Sequence, residues 1–89
     1  MVLTGKVFKG QKLVFHRSLA DTCGENATFH DRLESCLINL CKEADIPVPI
    51  WLSKNTVELA NFNKTSFIAE QFVENVKFTR FEIEFAEKL

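Results

Sequence analysis

Tyrosine is absent from this chain, although phenylalanine occurs nine times. A tyrosine brings a hydroxyl to a wet surface, whereas a phenylalanine brings only area. The aromatics are therefore committed to burial rather than to polar recognition. Glycine is scarce as well. Gly5, Gly10 and Gly24 stand apart, which excludes a glycine-rich phosphate loop. Histidine occurs only at positions 16 and 30, and cysteine at 23, 36 and 41. An odd cysteine count in a chain read as cytosolic gives no disulfide framework. Structural zinc sites draw on closely spaced cysteine pairs. Cys36 and Cys41 are instead five apart on an expected helix, about 140° around its axis, so one ion cannot take both. No metal and no cofactor is expected. A run of about eighteen apolar residues is also missing, so no segment is expected to span a membrane. The start, Met1 to Lys6, lacks the basic and then apolar pattern of a secretory leader. The expected location is the cytoplasm. Two glycosylation acceptor patterns, at Asn26 and Asn63, carry no meaning without a secretory route.

An excess of charge of either sign is lacking too: eleven lysines and arginines stand against twelve acids, for a net charge of −1. Nucleic-acid binders usually carry a basic excess or a basic stripe, and the overall balance weighs against that class. The distribution is uneven. Lys6, Lys9, Lys12 and Arg17 crowd the start, and Glu70, Glu74, Glu82, Glu84 and Glu87 outnumber Lys77, Arg80 and Lys88 at the end. Ordinary solvated faces explain such a gradient.

What is present is a core. With 46% hydrophobic and 26% charged residues the chain is too apolar for disorder. Its 89 residues form a single domain, 1–89. Residues 2–9 and 12–19 read as strands around Gly10-Gln11, where glycine at the first central position suits a two-residue type II′ turn. That register sets Val7 opposite Val14 and Phe8 opposite Leu13. Both faces of the hairpin carry apolar residues, which points to a cover on each, a second copy of the chain being one candidate.

Residues 20–27 read as a polar loop. Thr28 then caps a helix, with Asp31 three residues on, and Phe29, Leu33, Cys36, Leu37, Leu40 and Ala44 recur on one stripe. Asp45 and Pro47 end it. Pro47 and Pro49 hold residues 46–52 extended. Ser53 is placed to cap a short helix over 54–61, with Asn55 able to cap from one turn later. Residues 62–66 read as a turn, and 68–75 as a further short helix with Ile68, Phe72 and Val76 inward. The last element, 77–86, alternates Phe81, Ile83 and Phe85 with Arg80, Glu82 and Glu84, the pattern of a half-buried strand. The expected fold class is α+β: a small antiparallel sheet of about three strands, the N-terminal hairpin plus the C-terminal strand, packed on one main helix and two short helices.

Pro49-Ile50-Trp51-Leu52-x-x-Asn55, then Phe67, Phe72-Val73-Glu74 and Phe78-x-x-Phe81-Glu82-Ile83, resemble a group of small bacterial proteins, mostly from Gram-positive anaerobes. The resemblance covers about residues 33–85 and the hairpin loosely. It implies a bacterial cytoplasmic protein. The group has no assigned reaction or ligand, so the resemblance transfers no functional residue.

Candidate chemistry is sparse. Cys23, in the polar loop, and His30, near a helix start that favours a thiolate, allow a thiol enzyme or redox protein. An ordinary loop cysteine explains the same residues. Glu82 and Glu84 would stand about 7 Å apart along one strand face, but their setting is that of a solvated surface. Lys6, Lys9, Lys12 and Arg17 with Phe8 and Phe15 could join phosphate contacts to base stacking, although core packing explains both rings more simply. Trp51, on a rigid segment between prolines, suits an interface anchor or a lock for the loop, and Asn55 sits beside it. The expected role is non-catalytic: protein–protein contact, as a homodimer, with Trp51, Asn55, Phe8 and Phe15 as interface candidates. A nucleic-acid-associated module on the basic hairpin is the alternative, and a small thiol protein using Cys23 is the third.

Overall fold

A computed structural model of the chain describes residues 1–86; Glu87 and Lys88 of the acidic ending lie outside the described residues. Four strands and two helices form an α+β fold. β1 (Val2–Lys9), β2 (Lys12–Ala20), α1 (Phe29–Ala44), α2 (Ser53–Phe62), β3 (Lys64–Ile68) and β4 (Arg80–Ala86) follow in chain order, with a 3-10 turn at Ala69–Gln71. The sheet is antiparallel throughout and ordered β2-β1-β4-β3. The expected closing strand inserts beside β1 and pairs with β3 on its other side.

Alternation decides which face is covered. Leu3, Gly5 and Val7 of β1, Phe81 and Ile83 of β4, and Thr65 and Phe67 of β3 are all buried. Both helices pack on this face. α1 contributes Leu33, Cys36, Leu37, Leu40 and Cys41, and α2 contributes Leu59. Gly5 permits the closest approach: a Cβ there would meet Leu40 Cδ1 at 3.1 Å and Phe81 Cε1 at 3.2 Å. Trp51, Phe67 and Phe81 pack in series: Trp51 is tilted against Phe67 at a centroid separation of 5.6 Å, and Phe67 stacks on Phe81 at 5.9 Å.

Local chemistry sets the element ends. The Asp31 amide donates to Thr28 Oγ1 at 3.1 Å, the expected N-cap of α1. At its other end Asp45 takes a left-handed conformation (φ 58°). Its amide and that of Ile46 donate to the Lys42 and Cys41 carbonyls, forming a Schellman motif. Asn63 also ends α2 in the left-handed region, at φ 61°, but through the simpler αL motif, its amide donating to the Leu59 carbonyl at 2.9 Å.

Four sequence readings need correction. The sheet has four strands rather than about three, because residues read as a turn at 62–66 are the end of α2 and the start of β3. The inward hydroxyl of Thr65 is what disguised that strand. The expected helix over 68–75 is only the turn Ala69–Gln71, and Ile68 is exposed rather than inward, although Phe72 is buried. Ser53 is the first residue of α2, with Leu52 at the cap position. Val7 pairs with Phe15, not Val14: a β-bulge between Val7 and Phe8 leaves Val14 as the extra, exposed residue. Gly10 has the positive φ (64°) expected of the turn, and Phe8 does pair with Leu13. No helix of the described residues is long and apolar enough to cross a membrane.

Candidate functional site

The two helices cover the sheet without closing on each other. The gap is a trough of about 660 Å³. One wall is α1, from Phe29 to Ile38, and the other is α2 from Thr56 to Ala60 together with its capping residue Asn63. Phe85 of β4 contributes to the lining, and Val48, Pro49 and Trp51 close one end. Leu33, Leu37, Leu59 and Pro49 are buried at the bottom, while Phe29, His30, Glu34, Thr56, Ala60 and Asn63 stand exposed along the rim. Phe29 meets Phe85 edge to face at 5.2 Å. The volume falls in the range of ligand pockets, about 300–1,000 Å³, and the lining is apolar with few polar groups, as in such sites.

Trp51 is a wall of this trough as well as a lock. Its Nε1–H donates to Thr56 Oγ1 at 2.8 Å, and its ring packs on Phe67. Asn55 lies beneath, fully buried, and every polar atom of its amide is used. Oδ1 accepts from the Leu52 amide at 2.9 Å and from Gln71 Nε2 at 3.0 Å. Nδ2 donates to Thr65 Oγ1 at 2.7 Å and to the Ser66 carbonyl at 3.0 Å. Gln71 in turn donates to the Ile50 carbonyl, and Thr65 donates to Glu58 Oε1 at 2.6 Å. The proline–tryptophan–leucine segment and its asparagine are thus one device that holds α2 on β3. Asn55 has no donor or acceptor left for a partner.

The other singled-out residues do not meet at one surface. Phe8 sits on the uncovered sheet face, with the Arg80 guanidinium 4.0 Å above its ring. Phe15 packs toward the core on the opposite face. Lys6 lies on the uncovered face, across from His16 and Glu82. Arg17 lies on the helix-covered face, 3.4 Å from Glu43. Lys9 and Lys12 pair across the turn. The four cations and two rings are therefore divided between two faces. Glu82, whose side chain is only 17% exposed, lies 3.8 Å from Lys64 and 3.5 Å from Arg80, so it is held by cations rather than freely solvated.

Cys23 Sγ lies 4.0 Å from the Asp31 carbonyl, whereas His30 Nδ1 lies 3.9 Å from the Asp31 carboxylate on a side chain 80% exposed at the trough rim. Each turns to its own partner. Burial pushes the Cys41 thiol up to about 12 and raises that of Cys36, which keeps both protonated as small apolar fillers. No cluster of three or more metal-ligating side chains occurs among the described residues.

Comparison of the chain with protein-family models, with curated proteins and with solved structures finds no match. The site is therefore read from its own geometry. The trough itself was missed at the level of sequence. Its apolar stripe, Phe29, Leu33 and Leu37, was visible, but nothing in spacing says that α2 stops short of covering it.

Proposed function

We propose that the protein is a small non-catalytic module that acts through protein–protein contact, with the α1–α2 trough as the surface that receives an apolar segment of the partner. The observation that carries this reading is the trough's composition. Phe29, Leu33, Leu37, Trp51, Leu59 and Phe85 converge there, with His30 and Glu34 as its only titratable side chains among the described residues. An apolar recess with a polar rim is the general anatomy of an interaction site. The test is site-specific photo-crosslinking in the native cell. A benzophenone side chain at Ala60 is expected to capture a discrete protein adduct, while the same group at Glu84, on the uncovered face, captures none. Equal capture at both positions, or none at Ala60, overturns the reading.

Self-association is supported by a separate observation. β2 is the outer strand beside β1, nine residues long, without proline and largely exposed. Such an edge is a template for pairing, and antiparallel pairing of two copies would join their sheets about a two-fold axis. Sedimentation velocity over a wide concentration range is expected to show a dimer that Val14→Lys weakens. A monomer throughout removes this reading. The nucleic-acid and thiol readings draw no comparable support, since their residues are split between faces or turned to separate partners. Salt-sensitive retention on heparin would revive the first of these.

A further inference from the structure

The trough's walls, shape and charge narrow what can occupy it. Both long walls are sides of α-helices, whose main-chain groups are already bonded along their own axes. An extended segment lying there would find no ladder for its amides and carbonyls, whereas a helix satisfies its own. From Phe29 to Ile38 the α1 wall is about 14 Å long at 1.5 Å per residue, which matches two to three helical turns. The bottom is apolar and buried while the rim is exposed, so the occupant sinks one stripe and keeps the other face in water. The charge is one-sided. Among the described residues Glu34 is the only carboxylate that lines the trough, and neither lysine nor arginine does.

We propose that the trough receives an amphipathic helix of a partner protein, with apolar residues at i, i+3, i+4 and i+7 in the recess and a lysine or arginine on the flank that faces Glu34. This rests on the protein-contact reading above and adds the chemistry of the partner. Seated between α1 and α2, the incoming helix completes a third member of the helical layer over the sheet.

Trp51 makes the proposal testable, because it is the chain's single tryptophan and lines the recess. Three synthetic tryptophan-free peptides serve as probes: a leucine-striped helix with lysine flanks, the same helix with glutamate flanks, and a proline-interrupted isomer of the lysine peptide. The lysine helix is expected to shift Trp51 emission saturably and to bind about two- to fivefold tighter than the glutamate helix, the scale of one exposed ion pair. Glu34→Lys should reverse that order. Ala60→Phe, on the exposed rim of α2, should abolish both signals without adding an indole. Circular dichroism of each variant confirms that it is folded. Equal binding of the proline isomer overturns the helical occupant and leaves the trough in place. An order indifferent to Glu34→Lys overturns the basic flank. If no peptide moves Trp51 while the Ala60 crosslink still forms, the helix is wrong and the contact surface stands. Loss of both signals removes the contact reading as well.

Discussion

α1 and α2 rest on the same sheet face but are fastened by different forces. α1 buries Leu33, Cys36, Leu37, Leu40 and Cys41, an apolar stripe that any well-packed helix could show. α2 buries only Leu59 and Asn55, and its position is set by the amide of Asn55 and its bonds to Leu52, Thr65, Ser66 and Gln71. Apolar contact is nondirectional and draws surfaces together until they touch. A hydrogen-bond network holds distances and angles and tolerates a gap beside it. The trough follows from that difference: α2 is pinned over β3, at the far edge of the sheet from α1, and is not drawn in toward it.

The strongest test of the contrast is Asn55→Ala, which strands several buried partners at once. It is expected to cost about 4 kcal/mol, since each unsatisfied buried group costs about 1–3 kcal/mol. Urea unfolding would read it, and a cost below that of a single α1 leucine would break the comparison. That reference is Leu40→Ala, expected at about 3 kcal/mol from lost transfer and an unfilled cavity. The two helices should behave alike only at their ends. Asp45 and Asn63 both hold left-handed conformations, so Asp45→Gly and Asn63→Gly should each stabilise by up to about 1 kcal/mol, with the smaller gain at Asn63 because asparagine enters that region more readily. Thermal midpoints would show it.

The last test concerns the closest ionic tether of α1 among the described residues. Asp21 lies 2.6 Å from Arg32 and 3.1 Å from the Met1 ammonium. The hydrogen bond from the Met1 ammonium, helped by Arg32 and opposed by burial, holds its carboxyl below the ordinary 3.8. A depressed carboxylate stabilises the fold above that ordinary value, and the contribution drains away as pH falls below it. Thermal midpoints should therefore drop in acid below about pH 3.8, and Asp21→Asn should flatten that part of the drop by lowering the midpoint throughout about pH 5 to 7, with no new pH dependence inside that window.

How much was legible depends on which force did the holding. α1 was readable from Thr28 to Asp45 because capping and an apolar stripe are both written in spacing. β4 was readable because Phe81, Ile83 and Phe85 alternate. β3 was hidden because one of its two inward residues is Thr65, whose hydroxyl is satisfied by Asn55 and Glu58, and no local pattern reveals a partner ten residues away. The expected helix at 68–75 failed for the same reason. Gln71 accepts from the Ile68 amide and donates to the Ile50 carbonyl, which anchors a single turn against the proline segment. Of the interface candidates, Trp51 does line the trough and Asn55 lies sealed beneath it. The trough is a distance between two elements, and distances of that kind have no signature in a linear pattern.

The sheet order has a consequence for assembly. β1 and β4 lie side by side at its centre, with Val2 opposite Ala86, so the earliest and latest described residues must find one another before the middle of the sheet exists. β3 pairs with β4 alone, and it waits as well. A nascent chain can make its hairpin and its first helix early, but the half that carries Trp51 has no floor until β4 has been made. Such distant closure is entropically slow, and during that delay the aromatic residues that later roof the core stand open to chaperones.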